Sequence, residues 1–511
     1  MNKIIKLALK NLKEHRTKTT IIALFLTFGM AIVILGNSFL ESVNRGLEKD
    51  FRQNYTGDLA ICMKPEKGTS YDIFGVQTTS ISLTMEIPQI PALPDLEKVQ
   101  EIVNANENIT KQTKQISAQV FIAKGFEMDL SELTDRDDLT FDDMPISMLF
   151  AGESGTYWDT FPDVNFVEGG YPAPNTNEVI IDTRVKRAFE GLYREPLNVG
   201  DTILMAGTDI STIREAKVTG IFTPPNENSA MFQIIYGDPS LVRSFAHLTY
   251  GSNFVQEIPD SIDLSLSSLD EDDMFGSDDL FGEIIEDDAF LGTTTNFDDI
   301  LGDTTLRDKL NETDDGAWNF ILAKVKNPSY ADKVVSDLNA AFADAGINAL
   351  AMNWKQAAVS YSGTVEGIGF IFNLLIIILA IVVFIIIMNT MTVSVIERTG
   401  EIGTMRAIGA EKKFVKALFN SEAILITAIS AVFGVIFAFL VMLIFNSLEI
   451  TITNSIAKMI LGGGLLHFSP TPKIIILTIV IALLGSLLSN LYPVSSALKI
   501  TPLKALSKGS E

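Results

Sequence analysis

Glu397, Arg398, Glu401 and Arg406 stand within a single short stretch, interleaved with Ile396, Ile402, Met405 and Ile408. Carboxylates and guanidinium groups so placed do not make a catalytic set. They make an amphipathic segment whose charges can fix register and whose apolar side chains can supply contact area, which is the chemistry of docking. The stretch follows directly on an uncharged apolar run, residues 368–388. A run of about 20 apolar residues is long enough to cross a bilayer. A membrane helix running into a segment that a soluble partner could grip is one reading. A charged interfacial helix that only marks the membrane boundary is the other, and composition alone leaves both open.

No other constellation competes with this one. Cys62 is the only cysteine, so an intrachain disulfide framework is excluded. Leu59-Ala60-Ile61-Cys62 resembles a lipoprotein acylation box only faintly, because Ile61 is too large for its position; a buried strand cysteine is the better reading. His15, His247 and His467 fall in three different regions and suggest no metal site. The sequence holds no G-x-x-x-x-G-K-[ST] loop, so it supplies no P-loop ATPase, and Gly462-Gly463-Gly464 reads as a turn. No cofactor, no nucleic-acid partner and no enzymatic activity of its own are expected.

The elements that must position the segment follow from charge and hydropathy. The chain has 511 residues, 47% hydrophobic, with positive mean hydropathy, yet its net charge is −24. Charge and apolar surface must therefore be segregated. Four spans are expected at 20–40, 367–391, 421–446 and 473–492; their cores, 20–40, 368–391, 423–445 and 474–491, contain no Lys, Arg, Asp or Glu. The N-terminal segment 1–19, the loop 392–420 and the tail 493–511 are rich in Lys and Arg, whereas the surplus of acid lies elsewhere. Basic short loops stay in the cytoplasm. Both termini and the 392–420 loop are then cytoplasmic, and residues 41–366 and 447–472 face outward. The first span also has the form of a signal peptide, but no Ala-x-Ala site follows it, and Phe39, Val43, Leu47 and Phe51 continue at helical spacing. Ahead of it, Ile4, Ile5, Ala8 and Leu12 oppose Lys3, Lys6, Lys10 and Lys13, as in a helix lying on the inner leaflet and its lipid.

The expected fold class is a membrane protein: four transmembrane α-helices with a large α+β extracytoplasmic domain inserted between helices 1 and 2. Within that domain, 57–63 and 115–125 read as strands, and 95–108 and 330–343 as helices. Residues 166–222 hold short Val- and Ile-rich runs separated by Gly, Asp and Asn turns. Residues 321–325, the helix after Pro328 and residues 349–353 look like a βαβ return to the membrane. The stretch 257–303 has sixteen acids and no Lys or Arg, and is expected to be a disordered or partner-ordered insert, with Phe275, Phe281 and Phe290 as partner contacts the weaker reading and a cation site weaker still, for want of EF-hand spacing.

Glu397-Arg398, Glu401-Ile402-Gly403 and Arg406-Ala407-Ile408-Gly409-Ala410 resemble, in order, the cytoplasmic loop of the ABC permease superfamily of MacB, LolC/LolE and FtsX. Asn490-Leu491-Tyr492-Pro493 with Thr501-Pro502-Leu503 resembles that family's closing motif, and the 166–222 strands resemble its periplasmic core domain. The resemblance implies a permease subunit in the bacterial inner (plasma) membrane, two copies working with a separate cytoplasmic ABC ATPase. The second permease subunit is either identical or a homologue. It implies ATPase coupling through Glu397, Arg398, Glu401, Ile402, Met405, Arg406, Ala407 and Gly409. Of those, Ile402 and Met405, with Ile408, are expected to give apolar area to the ATPase. Residues 42–61 look closer to the lipoprotein-release branch, which implies a lipoprotein substrate and a periplasmic carrier. MacB-type efflux of peptides or drugs, and FtsX-type regulation of cell-wall hydrolases, are the alternatives.

Overall fold

The computed structural model describes residues 2–14, 16–78, 89–125, 144–208, 212–225, 233–250, 309, 312–450 and 467–497. The acidic stretch 257–303, the triglycine 462–464 and the Thr501-Pro502-Leu503 motif lie outside the described residues.

Helix α1 (Asn2–Glu14) precedes α2 (Arg16–Asn54), a single helix of 39 residues. After Arg16 and Lys18 it is uncharged through residue 40. Its second half buries Val43, Leu47 and Phe51 at the spacing the sequence predicts. The helix ends in a turn that feeds β1 (Leu59–Met63), and Gly57 makes that turn possible. Its φ is +66°, and a Cβ there would lie 2.6 Å from the carbonyl oxygen of Ala323.

Between α2 and the next long helix the chain builds a ten-stranded mixed sheet. β11 (Phe320–Val325) and β12 (Ala349–Asn353) both run antiparallel to β1, which lies between them. With α7 (Ala331–Asp344) they form a split βαβ unit. The order continues through β4 (Ile109–Ala123), β5 (Ile146–Gly152), β10 (Gln233–Gly237), β7 (Glu178–Asp182), β9 (Ile213–Thr223) and β6 (Asn165–Gly169), with β8 (Thr202–Gly207) bridging β4 and β9. A hairpin of β2 (Thr69–Asp72) and β3 (Gly75–Thr78) stands apart from the sheet.

Alternation along the strands divides the two faces. Leu59 and Ile61 point with Ile321 and Ala323 toward Val99 and Val103 of α3 (Leu96–Ala105) and Val334 and Phe342 of α7. Farther along the same sheet, Leu149, Val179 and Ile235 pack beneath α5 (Thr183–Tyr193) and α6 (Pro239–Phe245). Ala60, Cys62, Met148, Phe150 and Tyr236 turn the other way, into an aromatic cluster with Phe51, Tyr55, Phe74, Trp354 and Tyr361. The end of α2 is thus part of the core of the sheet domain. Arg52 donates to Asp58 at 2.7–2.8 Å, and Asp58 accepts the Val325 N–H at 2.8 Å, which pins that end to β11.

A short helix, α4 (Tyr157–Thr160), lies earlier in the chain; β12 continues directly into α8 (Trp354–Ala357) and then α9 (Val359–Glu397), again 39 residues. At 1.5 Å per residue α9 is about 58 Å long. α10 (Thr399–Ala407), α11 (Lys412–Ser447) and α12 (Pro472–Ala497) complete the chain as described. α2, α9, α11 and α12 each contain a window apolar and long enough to cross a membrane. α2 and α11 cross closely at Gly434, where a Cβ would lie 3.0 Å from the Thr27 carbonyl oxygen. Small residues at such crossings let backbones approach.

Candidate coupling site

α9 stops being helical at Arg398, whose φ and ψ of −91° and 15° bend the chain into α10. Gly409, at φ +104°, then turns it into α11. The bend is held from inside. Val395, Ile402, Val415, Phe419 and Val494 form a buried apolar cluster, with Met405 packed partly against it.

Arg398 is only 5% exposed. Its Nη1 donates to both oxygens of Glu422, at 3.0 and 3.3 Å, and its Nε donates to Glu401 at 3.0 Å. The guanidinium lies 5.1 Å from the centre of the Phe419 ring. Burial works against the Arg398 charge, but Glu422 and Glu401 outweigh it and hold its pKa above the usual arginine value. Glu422, itself buried, accepts a further hydrogen bond from Asn11 Nδ2 of α1 at 2.7 Å. Leu12 of α1 packs beside Ile22, Leu26, Ala423 and Ile426. Three separate parts of the chain therefore meet at one carboxylate.

The structure divides the residues singled out from sequence into two groups. Arg398, Ile402 and Gly403 face inward, and Met405 and Arg406 are half-buried. Glu397, Glu401, Ala407, Ile408 and Gly409 are exposed, Ile408 at 82% and the neighbouring Ile396 at 64%. Ile402, expected to offer apolar area to a partner, is buried in this structure against Val415, Phe419 and Val494. Arg398 likewise acts inward. Ile408, with Ile396 and Phe414, is the apolar surface left open. Sequence reasoning missed Glu422 and Asn11. The available signal was a lone acid at the edge of an apolar span, a position that demands a partner.

Among the described residues, four apolar helices of spanning length are joined to an α+β domain, which defines a polytopic membrane protein. Two family models match it: the MacB-like periplasmic core domain over residues 19–341, and the FtsX-like permease C-terminal domain over residues 373–502. The chain belongs to the MacB/LolC/FtsX superfamily of ABC transporter permeases.

Relatives include the macrolide export ATP-binding/permease protein MacB of Campylobacter jejuni subsp. jejuni serotype O:23/36 (strain 81-176), 34% identical over 122 residues, covering 24% of this chain and 17% of that one. The ABC transporter permease YtrF of Bacillus subtilis (strain 168) is 32% identical over 123 residues, covering 24% and 28%. The chain thus matches less than a third of the length of either relative. Among solved structures, the periplasmic region of MacB from Actinobacillus actinomycetemcomitans aligns at 11% identity and a TM-score of 0.27, covering 62% of this chain and 94% of that one. The extracellular domain of the noncanonic ABC-type transporter YknZ from Gram-positive bacteria aligns at 9% and 0.26, covering 58% and 99%.

Proposed function

We propose that this chain is the permease subunit of an ABC transporter and carries ATP-driven motion from a separate cytoplasmic ATPase to the sheet domain, which lies outside the membrane between the first and second spans. In this reading the chain performs no hydrolysis itself. The observation that carries the reading is α9: one unbroken helix whose first turn is seated in the sheet domain and whose last turn meets the bend that exposes Ile408. A displacement at one end of such a rod reaches the other without an intervening hinge. Only an ATPase that contacts the bend differently in its two nucleotide states can drive it. Two permease subunits and two ATPases would complete the assembly.

For the substrate, we infer release of acylated lipoproteins toward the outer membrane. An apolar cavity of about 550 Å³ between α2, α9 and α12, lined among others by Leu26, Met30, Ile377, Phe384, Leu477 and Ile481, supports an acyl chain as cargo. Efflux of peptides or drugs is the second reading, favoured by the names of the MacB relatives. The test is to coexpress the chain with a candidate cytoplasmic ABC ATPase, capture the complex through this chain and identify the copurified ligand by mass spectrometry. A triacylated peptide supports lipoprotein release, and a soluble peptide or drug supports efflux. Failure to capture any ATPase would overturn the permease reading.

A further inference from the structure

We propose that Glu422 is the positioning residue of the coupling bend, joining α1 and the α9–α10 junction into a unit that moves together. The proposal rests on the function proposed above in so far as the bend is what the ATPase grips. The geometry itself is independent of any partner.

Asn11 and Glu422 are 411 residues apart in sequence, yet their side chains meet at 2.7 Å. On the same carboxylate, Arg398 Nη1 donates to both oxygens, at 3.0 and 3.3 Å. A buried carboxylate needs its charge and its lone pairs matched, and these two donors contribute to both. Arg398 and Glu422 are both under a tenth exposed, so water does not replace that pair without opening the site, and Asn11, half-buried, closes its edge. Leu12 adds an apolar contact one residue beyond Asn11, so α1 cannot pivot away from α11 without losing both. A displacement of Arg398 therefore draws on Glu422, and through it on α1. The N-terminal helix becomes a second lever arm of the bend rather than a passive float on the membrane.

The experiment places spin labels at Lys10→Cys and Thr404→Cys, both exposed in the structure, in the full chain with Cys62→Ala, reconstituted in lipid nanodiscs. The unsubstituted node should give one narrow distance distribution between α1 and α10. Asn11→Ala, which leaves the Arg398–Glu422 pair in place, should broaden it, and Glu422→Gln should broaden it further. The exchange Arg398→Glu with Glu422→Arg should narrow it again, since an arginine at 422 can donate to the amide oxygen of Asn11. A distribution that stays narrow in Asn11→Ala and Glu422→Gln overturns the proposal and leaves Glu422 a packing residue. With the ATPase coexpressed, Glu422→Gln should lower the permease-stimulated hydrolysis roughly tenfold, the scale at which coupled buried neighbours commonly act, while capture of the ATPase holds. Should Glu422→Gln fail to accumulate, Asn11→Ala alone decides. Loss of capture in the unsubstituted chain would instead count against the proposed function, and the label distances would still test the node.

Discussion

The Asp72 carboxylate accepts the backbone N–H of Ser360 at 2.9 Å and the Ser360 hydroxyl as well, so a hairpin residue caps the first turn of α9. The N–H groups of a first turn have no partner within their own helix. Ile73 N–H donates to the Ala357 carbonyl at 3.0 Å and Gln77 to the Ser360 hydroxyl at 2.9 Å, which seats the whole β2–β3 hairpin on the α8–α9 junction.

This contact should respond to pH. Burial pushes the Asp72 pKa up to about 6, although the hydrogen bonds from Ser360 and Phe74 act in the opposite direction. A carboxyl whose pKa is higher folded than unfolded takes up its proton in the native state first, so its contribution to stability rises as pH falls from 7 toward 5. Over that interval the wild type should gain about 1 kcal/mol relative to Asp72→Asn, read from unfolding of the two proteins at each pH. Identical pH profiles would show that Asp72 does not titrate there.

Ile402 and Ile408 should behave in opposite ways. Ile402→Ala opens a cavity in the cluster with Val415 and Phe419 and should cost about 2–5 kcal/mol, seen as a lower melting temperature and less protein in the membrane. Ile408→Ala touches only exposed surface, so accumulation should be unchanged while ATPase capture falls. Equal capture by Ile408→Ala and wild type would move the docking surface elsewhere.

Gly57→Ala should destabilise the junction of α2 with the sheet. A left-handed φ costs an alanine roughly 1–2 kcal/mol, and the Ala323 carbonyl must also retreat from the new methyl group. Differential scanning calorimetry of the variant checks this; an unchanged transition would mean the turn re-forms with a different backbone.

The proposed orientation is open to labelling in intact cells. Cys62 is buried and should contribute little background. A membrane-impermeant maleimide should reach Asp201→Cys, which is exposed on the sheet domain, and should reach Lys412→Cys only after the membrane is opened. The reverse pattern would invert the protein.

Much of the architecture was readable from period and punctuation. Val43, Leu47 and Phe51 kept helical spacing past the apolar run, and α2 continues through them. Ala349–Asn353 reads as a strand and is β12. β5 and β10 were not foreseen: Met148–Ala151 and Ile234–Tyr236 are unbroken runs buried on both faces in the middle of the sheet, where alternation gives no signal. At the bend, the periodicity of Ile402, Met405 and Ile408 marked an amphipathic segment but not what covers it. Val415, Phe419 and Val494 settle that through contacts distant in sequence, and helical spacing carries no information about them.

The pairing of β1 with β12 has a mechanical consequence. Leu59, the first residue of β1, lies opposite Asn353, the last of β12, so α2 and α9 leave the sheet from the same end of one antiparallel ladder. Sliding one helix lengthwise past the other loads all the cross-strand bonds of that ladder in shear at once. Splaying the two helices apart loads them one after another, like a zipper. The mount is therefore stiff to a piston stroke and compliant to spreading, and the five paired positions from Leu59↔Asn353 to Met63↔Ala349 set how large a thrust it can bear before it slips.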